Sequence, residues 1–128
     1  MDKTEIDSKA KSFAPVVLRL GLSAVYLWFG FSQITDSASW VSWVPDFAVS
    51  ISGMSAGTIV LFNGWFEAIA GVLLAVGFMT RWVALALSAH MFLITFDLGL
   101  TAIGVRDFGL AMATLSLSLF GKDDYSLD

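Results

Sequence analysis

Four long apolar runs dominate the chain and predict four membrane-spanning helices. They are Phe13–Thr35, Gly57–Met79, Trp82–Leu100 and roughly Ala102–Gly121, which we call the first to fourth spans. Each run is close to the roughly 20 residues that a helix needs to cross a hydrocarbon layer of ~30 Å. Irregular backbone cannot face lipid, and the runs lack the alternating pattern of a membrane β-barrel. The predicted fold is therefore an all-α, membrane-embedded four-helix bundle.

Short polar segments flank the spans and join them. Residues 1–12 form a polar N-terminal arm and residues 122–128 a polar tail, which leaves residues 13–121 as one transmembrane domain. The arm is of mixed charge, and its acidic residues Asp2, Glu5 and Asp7 interrupt the basic region that a secretory signal needs. The apolar run after it is also too long for such a signal, so we expect the first span to be retained. Only Thr80 and Arg81 separate the second and third spans. This spacing predicts a tight antiparallel hairpin.

The segment between the first and second spans, Asp36–Ala56, is partly apolar. Several of its apolar residues are three or four positions apart, which predicts a short amphipathic segment at the membrane interface, broken at Pro45. These residues are Trp40, Val41, Trp43, Val44, Phe47 and Ile51. Two interpretations are open. The tryptophans anchor the segment among the lipid headgroups, or the segment is a lid over a cavity between the helices.

The distribution of Lys and Arg predicts the orientation in the membrane. Basic residues are frequent at the N-terminus and absent from Asp36–Ala56. With the N-terminus inside, only Arg106 lies on the outer side, so the positive-inside rule predicts that both termini are cytoplasmic.

Each span carries one stripe of polar or small residues along a single helical face. Polar groups at membrane depth are costly, so such stripes predict a bundle with a polar interior. The stripes are Arg19, Ser23, Tyr26, Gly30 and Gln33 in the first span; Asn63, Glu67 and Gly71 in the second; His90 and Asp97 in the third; and Asp107, Ala111, Thr114, Ser118 and Gly121 in the fourth. A further seam of small residues, Gly64, Ala68, Gly71 and Ala75, predicts close helix packing.

Glu67 and His90 are the candidates for catalysis. Their distances from the ends of their spans place both near the bilayer midplane, within reach of each other across the hairpin. An intramembrane carboxylate is a functional candidate by default, and an imidazole titrates near neutral pH. The structural alternative is that Glu67 contacts Arg19 or His90 only to hold the helices together.

Two further sets of polar residues are expected at the two ends of the bundle. A structural polar cluster at the outer end contains Gln33, Asn63, Asp97, Arg106 and Asp107. Within it, Asp97, Arg106 and Asp107 are expected to form an ion pair that closes the bundle. Near the inner edge Arg19 has no evident partner, and either its side chain snorkels to the headgroups or it serves a function.

Composition narrows the class of protein and excludes several kinds of chemistry. Apolar residues make up 57% of the 128 residues and charged residues only 14%. This composition is too apolar for an ordinary soluble domain. The net charge of −4 argues against nucleic-acid binding. The absence of cysteine excludes thiol chemistry, and a single histidine argues against a metal or haem site built by this chain alone.

The sequence resembles the DoxX family of small four-helix membrane proteins from Val17 to Gly121. The family often has a lysine after the glycine of the first helix, where this chain has Gln33. The resemblance is carried by Arg19-Leu20-Gly21-Leu22 and Gly30, by the aromatic segment with Pro45, by Glu67, Gly71, Leu74, Gly77, Thr80 and Arg81, and by Arg106-Asp107.

The resemblance implies a multi-pass protein of the bacterial inner membrane that works with other subunits or as a homo-oligomer. Some DoxX-like proteins are membrane subunits of thiosulfate:quinone oxidoreductases, others resemble membrane parts of oxidative-stress complexes, and many have no known activity. We therefore expect a subunit that anchors a partner and contributes a quinone-facing cavity. In it, Glu67 and His90 would handle protons, and Arg19 or Arg106 would bind an anionic or carbonyl oxygen.

Two alternative functions remain open at the sequence level. The chain could be a structural accessory subunit whose polar stripes serve only packing, or a small-solute transporter. The absence of discontinuous helical segments argues against a transporter. We expect no cofactor bound by this chain alone, with quinone as the candidate ligand in a complex.

Overall fold

The computed structural model describes residues 2–128, which form five α-helices and one 3₁₀ helix. Four of the α-helices, α1, α3, α4 and α5, are long and apolar enough to cross a membrane. This confirms the predicted all-α four-span bundle. The elements are α1 (Lys3–Thr35), the 3₁₀ helix (Ser37–Trp43), α2 (Asp46–Ser52), α3 (Ala56–Val76), α4 (Thr80–Leu98) and α5 (Ala102–Phe120).

The polar N-terminal arm is part of the first helix. α1 begins at Lys3, ten residues before the apolar run starts at Phe13. The side chain of Asp2 caps this end by accepting a hydrogen bond of 2.9 Å from the Glu5 N–H, which satisfies one of the free N–H groups of the first turn. α1 therefore extends as an exposed helix beyond the membrane-spanning part.

The segment between α1 and α3 is divided at Pro45, as predicted. The 3₁₀ helix ends at Trp43, and α2 begins at Asp46, directly after Pro45. Pro45 has an extended backbone (φ −70°, ψ 147°), and a proline at this position has no N–H with which to continue the preceding helix. α2 ends at Gly53, whose φ of +70° lies in the left-handed region that glycine tolerates.

The bundle consists of two closely packed helix pairs. The most extensive contacts are those of α1 with α3 and of α4 with α5, whereas α3 and α4 contact each other much less. The connection between α3 and α4 is short, as predicted, but it consists of residues 77–79, and the predicted linker residues Thr80 and Arg81 form the start of α4. A short connection thus joins helices that belong to different pairs.

Small residues allow α1 and α3 to approach closely. A Cβ atom on Gly30 would lie 2.6 Å from the backbone N of Ala68 and 2.8 Å from the carbonyl oxygen of Gly64. A Cβ atom on Gly71 would lie 3.0 Å from Cγ of Leu27. The predicted small-residue seam of α3 is therefore the surface on which α1 packs.

The two ends of the bundle differ in how they are closed. The terminal end carries the α3–α4 connection and residues 122–128, and the loop end carries residues 36–55 and the α4–α5 connection. At the terminal end the Tyr125 ring stacks on Phe13 with 6.0 Å between centroids. The Leu127 N–H donates to the Val76 carbonyl oxygen at 3.2 Å. The tail thus folds back and covers this end.

Candidate functional site

Most of the predicted polar stripe residues face the interior of the bundle. Asn63 and His90 are half-buried, whereas Asp97, near the end of α4, is exposed. The interior positions are Arg19, Ser23, Tyr26, Gly30 and Gln33 of α1, Glu67 and Gly71 of α3, and Asp107, Ala111, Thr114 and Ser118 of α5.

A cavity of about 520 Å³ lies between the two helix pairs at the loop end. This volume is within the range of small-molecule binding sites, about 300–1,000 Å³. Its aromatic walls are Tyr26, Trp28, Phe29, Trp40, Trp43 and Phe47. Its charged and amide groups are Gln33, Asn63, Glu67, His90, Asp97, Arg106 and Asp107. The cavity therefore combines an apolar wall with several convergent polar groups.

Glu67 is held by two amide side chains, that of Gln33 on α1 and that of Asn63 one turn earlier on α3 itself. Gln33 Nε2 on α1 donates to Glu67 Oε2 at 2.9 Å, and Asn63 Nδ2 donates to Glu67 Oε1 at 3.3 Å. Asn63 Nδ2 also donates to Gln33 Oε1 at 2.6 Å. These bonds link α1 to α3 and fix the orientation of the Glu67 carboxyl group beside the cavity.

His90 lies next to Glu67, as the spacing along the two helices predicted. Its Nε2 atom is 3.4 Å from Glu67 Oε1. Nε2 is shielded from solvent yet has no hydrogen-bond partner among the described residues. The imidazole ring also packs edge-on against Phe66, with 5.0 Å between centroids. His90 therefore lines the cavity with its Nε2 atom shielded beside Glu67 and not engaged in a hydrogen bond among the described residues.

The five residues of the cluster predicted at the outer end all line the cavity, but the expected ion pair forms only in part. Arg106 Nη2 lies 3.4 Å from Asp107 Oδ1, and the guanidinium stands 6.0 Å from the centroid of the Phe29 ring. Asp97 joins no ion pair in residues 2–128, so the predicted three-member ion pair is wrong. The reason is that Asp97 lies on an exposed position of α4, whereas Arg106 and Asp107 are neighbours on α5. All three still line the cavity.

The segment between α1 and α3 covers the cavity. Trp40 Nε1 donates to Ser32 Oγ at 3.0 Å, and its ring packs edge-on against Phe29 at 5.6 Å. Trp43, Pro45 and other residues of the segment line the cavity. This is the position that the lid interpretation requires. Trp43 is also exposed, so the same segment retains a face for the membrane interface.

Arg19 is not isolated. Arg19 Nε lies 2.7 Å from Asp123 Oδ2, and both side chains are almost completely buried, at 2% and 1% exposure. Arg19 Nη1 donates to the carbonyl oxygens of Leu74 and Ala75, each at 2.8 Å. The expectation that Arg19 lacks a partner is therefore wrong, because the tail folds back onto it.

The position of Arg19 also bears on its suggested role in ligand binding. It does not line the cavity, and its guanidinium donates to four oxygens of the protein. It joins α1, the end of α3 and the tail. No sequence signal indicated Asp123 as the partner, since 104 positions separate the two residues.

The environment of Asp123 favours its ionised form. Burial by itself would raise the pKa of this carboxyl group. The hydrogen bond from Arg19 and the backbone N–H of Tyr125 outweigh burial and hold the pKa below its ordinary value of 3.8. The positive charge of Arg19 acts in the same direction.

Four spanning helices around a cavity with polar groups define this chain as a small multi-pass membrane protein of the all-α bundle class. Residues 14–100 match the family model DoxX, and the chain belongs to the DoxX family. The match includes Glu67 and His90 and ends before α5, whereas the resemblance drawn from the sequence extended to Gly121. Comparisons with curated proteins and with solved structures found no match.

Proposed function

We propose that this chain is the membrane subunit of a quinone-linked redox complex and that its cavity binds the quinone ring. The observation that carries the proposal is the combination of aromatic walls with Glu67 and His90 in one cavity. A quinone ring is planar and largely apolar and has two carbonyl oxygens, so it fits rings on the walls and a few hydrogen-bond donors. When bound, the quinone would accept two electrons and two protons.

Glu67 and His90 supply the proton chemistry in this proposal. His90 Nε2 lies 3.4 Å from Glu67 Oε1 but makes no hydrogen bond among the described residues, so in this proposal its N–H donates to a carbonyl oxygen of the bound ring. The Glu67 carboxyl group, with Oε1 3.4 Å from Nε2, is close enough to pass a proton to the imidazole. Arg106 on α5 offers a second donor to a ligand oxygen.

The electron donor belongs to another polypeptide in this proposal. This chain has no cysteine, and one histidine cannot build a multi-ligand metal centre. The chain therefore anchors a partner that oxidises the substrate, in the bacterial inner membrane with the terminal end facing the cytoplasm. The isolated chain should not reduce a soluble quinone when thiosulfate is supplied, whereas the co-purified complex should.

Quinone binding by the purified chain tests the proposal directly. Titration with a short-chain quinone should quench the fluorescence of the tryptophans that line the cavity in a saturable way. His90→Phe should weaken quinone binding about fivefold to tenfold, because it keeps a ring at this position but removes the N–H donor. The matched control is Trp65→Phe, which changes an exposed tryptophan outside the cavity and should leave the affinity unchanged.

Quenching that rises linearly with the quinone concentration and is equal in all variants would contradict quinone binding. The structural alternative makes a different prediction for the intact complex. If Glu67→Gln and His90→Gln together leave quinone reduction unchanged, the polar groups serve only assembly.

A further inference from the structure

The net charge of the protein is concentrated in the half of the molecule that contains the cavity. At the terminal end six basic residues, from Lys3 to Lys122, are balanced by six acidic ones, from Asp2 to Asp128. The other half has Arg106 as its one Lys or Arg residue, against five carboxylates: Asp36, Asp46, Glu67, Asp97 and Asp107. The formal net charge of −4 therefore belongs entirely to the cavity half.

The cavity combines this negative charge with aromatic ring faces. Glu67, Asp97 and Asp107 all line it, together with six aromatic residues. Ring faces attract cations, most strongly where water is excluded. The structure already contains one such contact, because the Arg106 guanidinium stands 6.0 Å from the centroid of Phe29. Asp107 is partly neutralised by Arg106, whereas Asp97 has no cationic partner among the described residues.

We propose that the cavity binds a hydrophobic organic cation, such as a quaternary ammonium or phosphonium ion with bulky apolar arms. Asp97 and Glu67 would face its charge, and the apolar arms would lie against the aromatic walls. His90 and Arg106 are the positive or titratable groups that face the same space. This inference rests on charge and ring geometry and does not depend on the proposed quinone function.

The lining of the cavity argues for an organic cation rather than a metal ion. Its carboxylates are distributed over α3, α4 and α5, and most of its lining is apolar. Within residues 2–128 no group of three or more His, Cys, Asp or Glu side chains could hold a metal ion. A hydrophobic anion would meet the net negative charge, which disfavours it.

Two probe ions of the same shape and opposite charge test this inference. Tetraphenylphosphonium and tetraphenylborate are each dialysed to equilibrium against the purified wild-type protein in a neutral detergent. We expect saturable binding of the phosphonium ion and none of the borate ion. Equal binding of the two ions would overturn the proposal, because it would show hydrophobic adsorption without charge selection.

Three variants test whether the phosphonium ion binds in the cavity and whether its affinity falls or rises with the charge of the lining. Asp97→Asn should lower the affinity for the phosphonium ion about fivefold. Arg106→Gln should raise it by a similar factor, because it removes a like charge and frees the Phe29 face. The control is Asp36→Asn, which makes the same change in net charge outside the cavity lining and should alter the affinity less than twofold. An equal loss in Asp36→Asn and Asp97→Asn would overturn the proposal.

Arg106→Gln also separates this inference from the proposed function. Loss of the charged guanidinium donor should weaken the hydrogen bond to a quinone carbonyl oxygen, whereas loss of its positive charge should strengthen cation binding. Phosphonium binding without quinone binding would leave this inference in place and remove the proposed function. Quinone binding with no phosphonium binding would do the reverse.

Discussion

Asp123→Ala should lower the free energy of unfolding of the detergent-solubilised protein by about 3–5 kcal/mol, as expected when one partner of a buried ion pair is removed. The substitution leaves the Arg19 guanidinium charged, almost fully buried and without its carboxylate. It also releases the tail from the terminal end of the bundle. The measurement is reversible unfolding in mixed micelles with increasing SDS, followed by helical circular dichroism.

The neighbouring aspartate provides a matched control. Asp124 accepts an exposed hydrogen bond of 3.1 Å from Ser12 and joins no ion pair among the described residues. Because exposed polar contacts contribute little, Asp124→Ala should cost less than about 0.5 kcal/mol. Equal destabilisation by the two substitutions would contradict a special role for the ion pair of Arg19 with Asp123.

Protonation of Asp123 should lower the free energy of unfolding as the pH becomes acidic. Its pKa in the folded protein lies below the ordinary value of 3.8. The ionised carboxyl group therefore stabilises the fold fully above that ordinary value, and this contribution is lost as the pH falls through the folded-state pKa. Unfolding measured from pH 6 downwards should show a steeper acid loss in the wild type than in Asp123→Ala. Parallel profiles would contradict this assignment.

Gly30→Ala should destabilise the protein by about 2–3 kcal/mol, the upper part of the range for an overpacked contact. The added Cβ would lie 2.6 Å from the backbone N and 2.8 Å from the Cα of Ala68. Both atoms belong to the backbone, so the clash cannot be relieved by a side-chain rotation and α1 must move away from α3. The same SDS unfolding experiment measures the loss.

A second glycine of α1 provides the control for Gly30. A Cβ on Gly21 would meet nothing within 4 Å. Gly21→Ala should therefore leave stability unchanged or raise it by about 0.5–1 kcal/mol, since alanine favours the helix. Separation of α1 from α3 in Gly30→Ala should also weaken the contact of Gln33 with Glu67 and reduce ligand binding. Equal stability of the two variants would contradict close packing at Gly30.

The sequence alone determines the structural features that depend only on residues close together along the chain. Hydropathy over about twenty residues specifies the four spans, because lipid excludes unpaired backbone. The spacing of polar and small residues specifies which face of each helix turns inward, because positions three and four apart share a face. The proximity of Glu67 to His90 could be predicted from their similar depth in two consecutive spans, and the break at Pro45 from the missing N–H of proline.

The tertiary structure decides which inward faces meet. All four spans are apolar enough to cross a membrane, and hydropathy does not state which helices pair. The association of α1 with α3 and of α4 with α5 therefore could not be predicted. The partner of Arg19 depends on a tail that returns to it from Asp123, 104 positions along the chain. Asp97 lines the cavity but is exposed there and joins no ion pair among the described residues, which its place in the polar stripe did not reveal. Packing between distant parts of the chain decides whether such polar side chains meet, and the local sequence pattern does not contain this information.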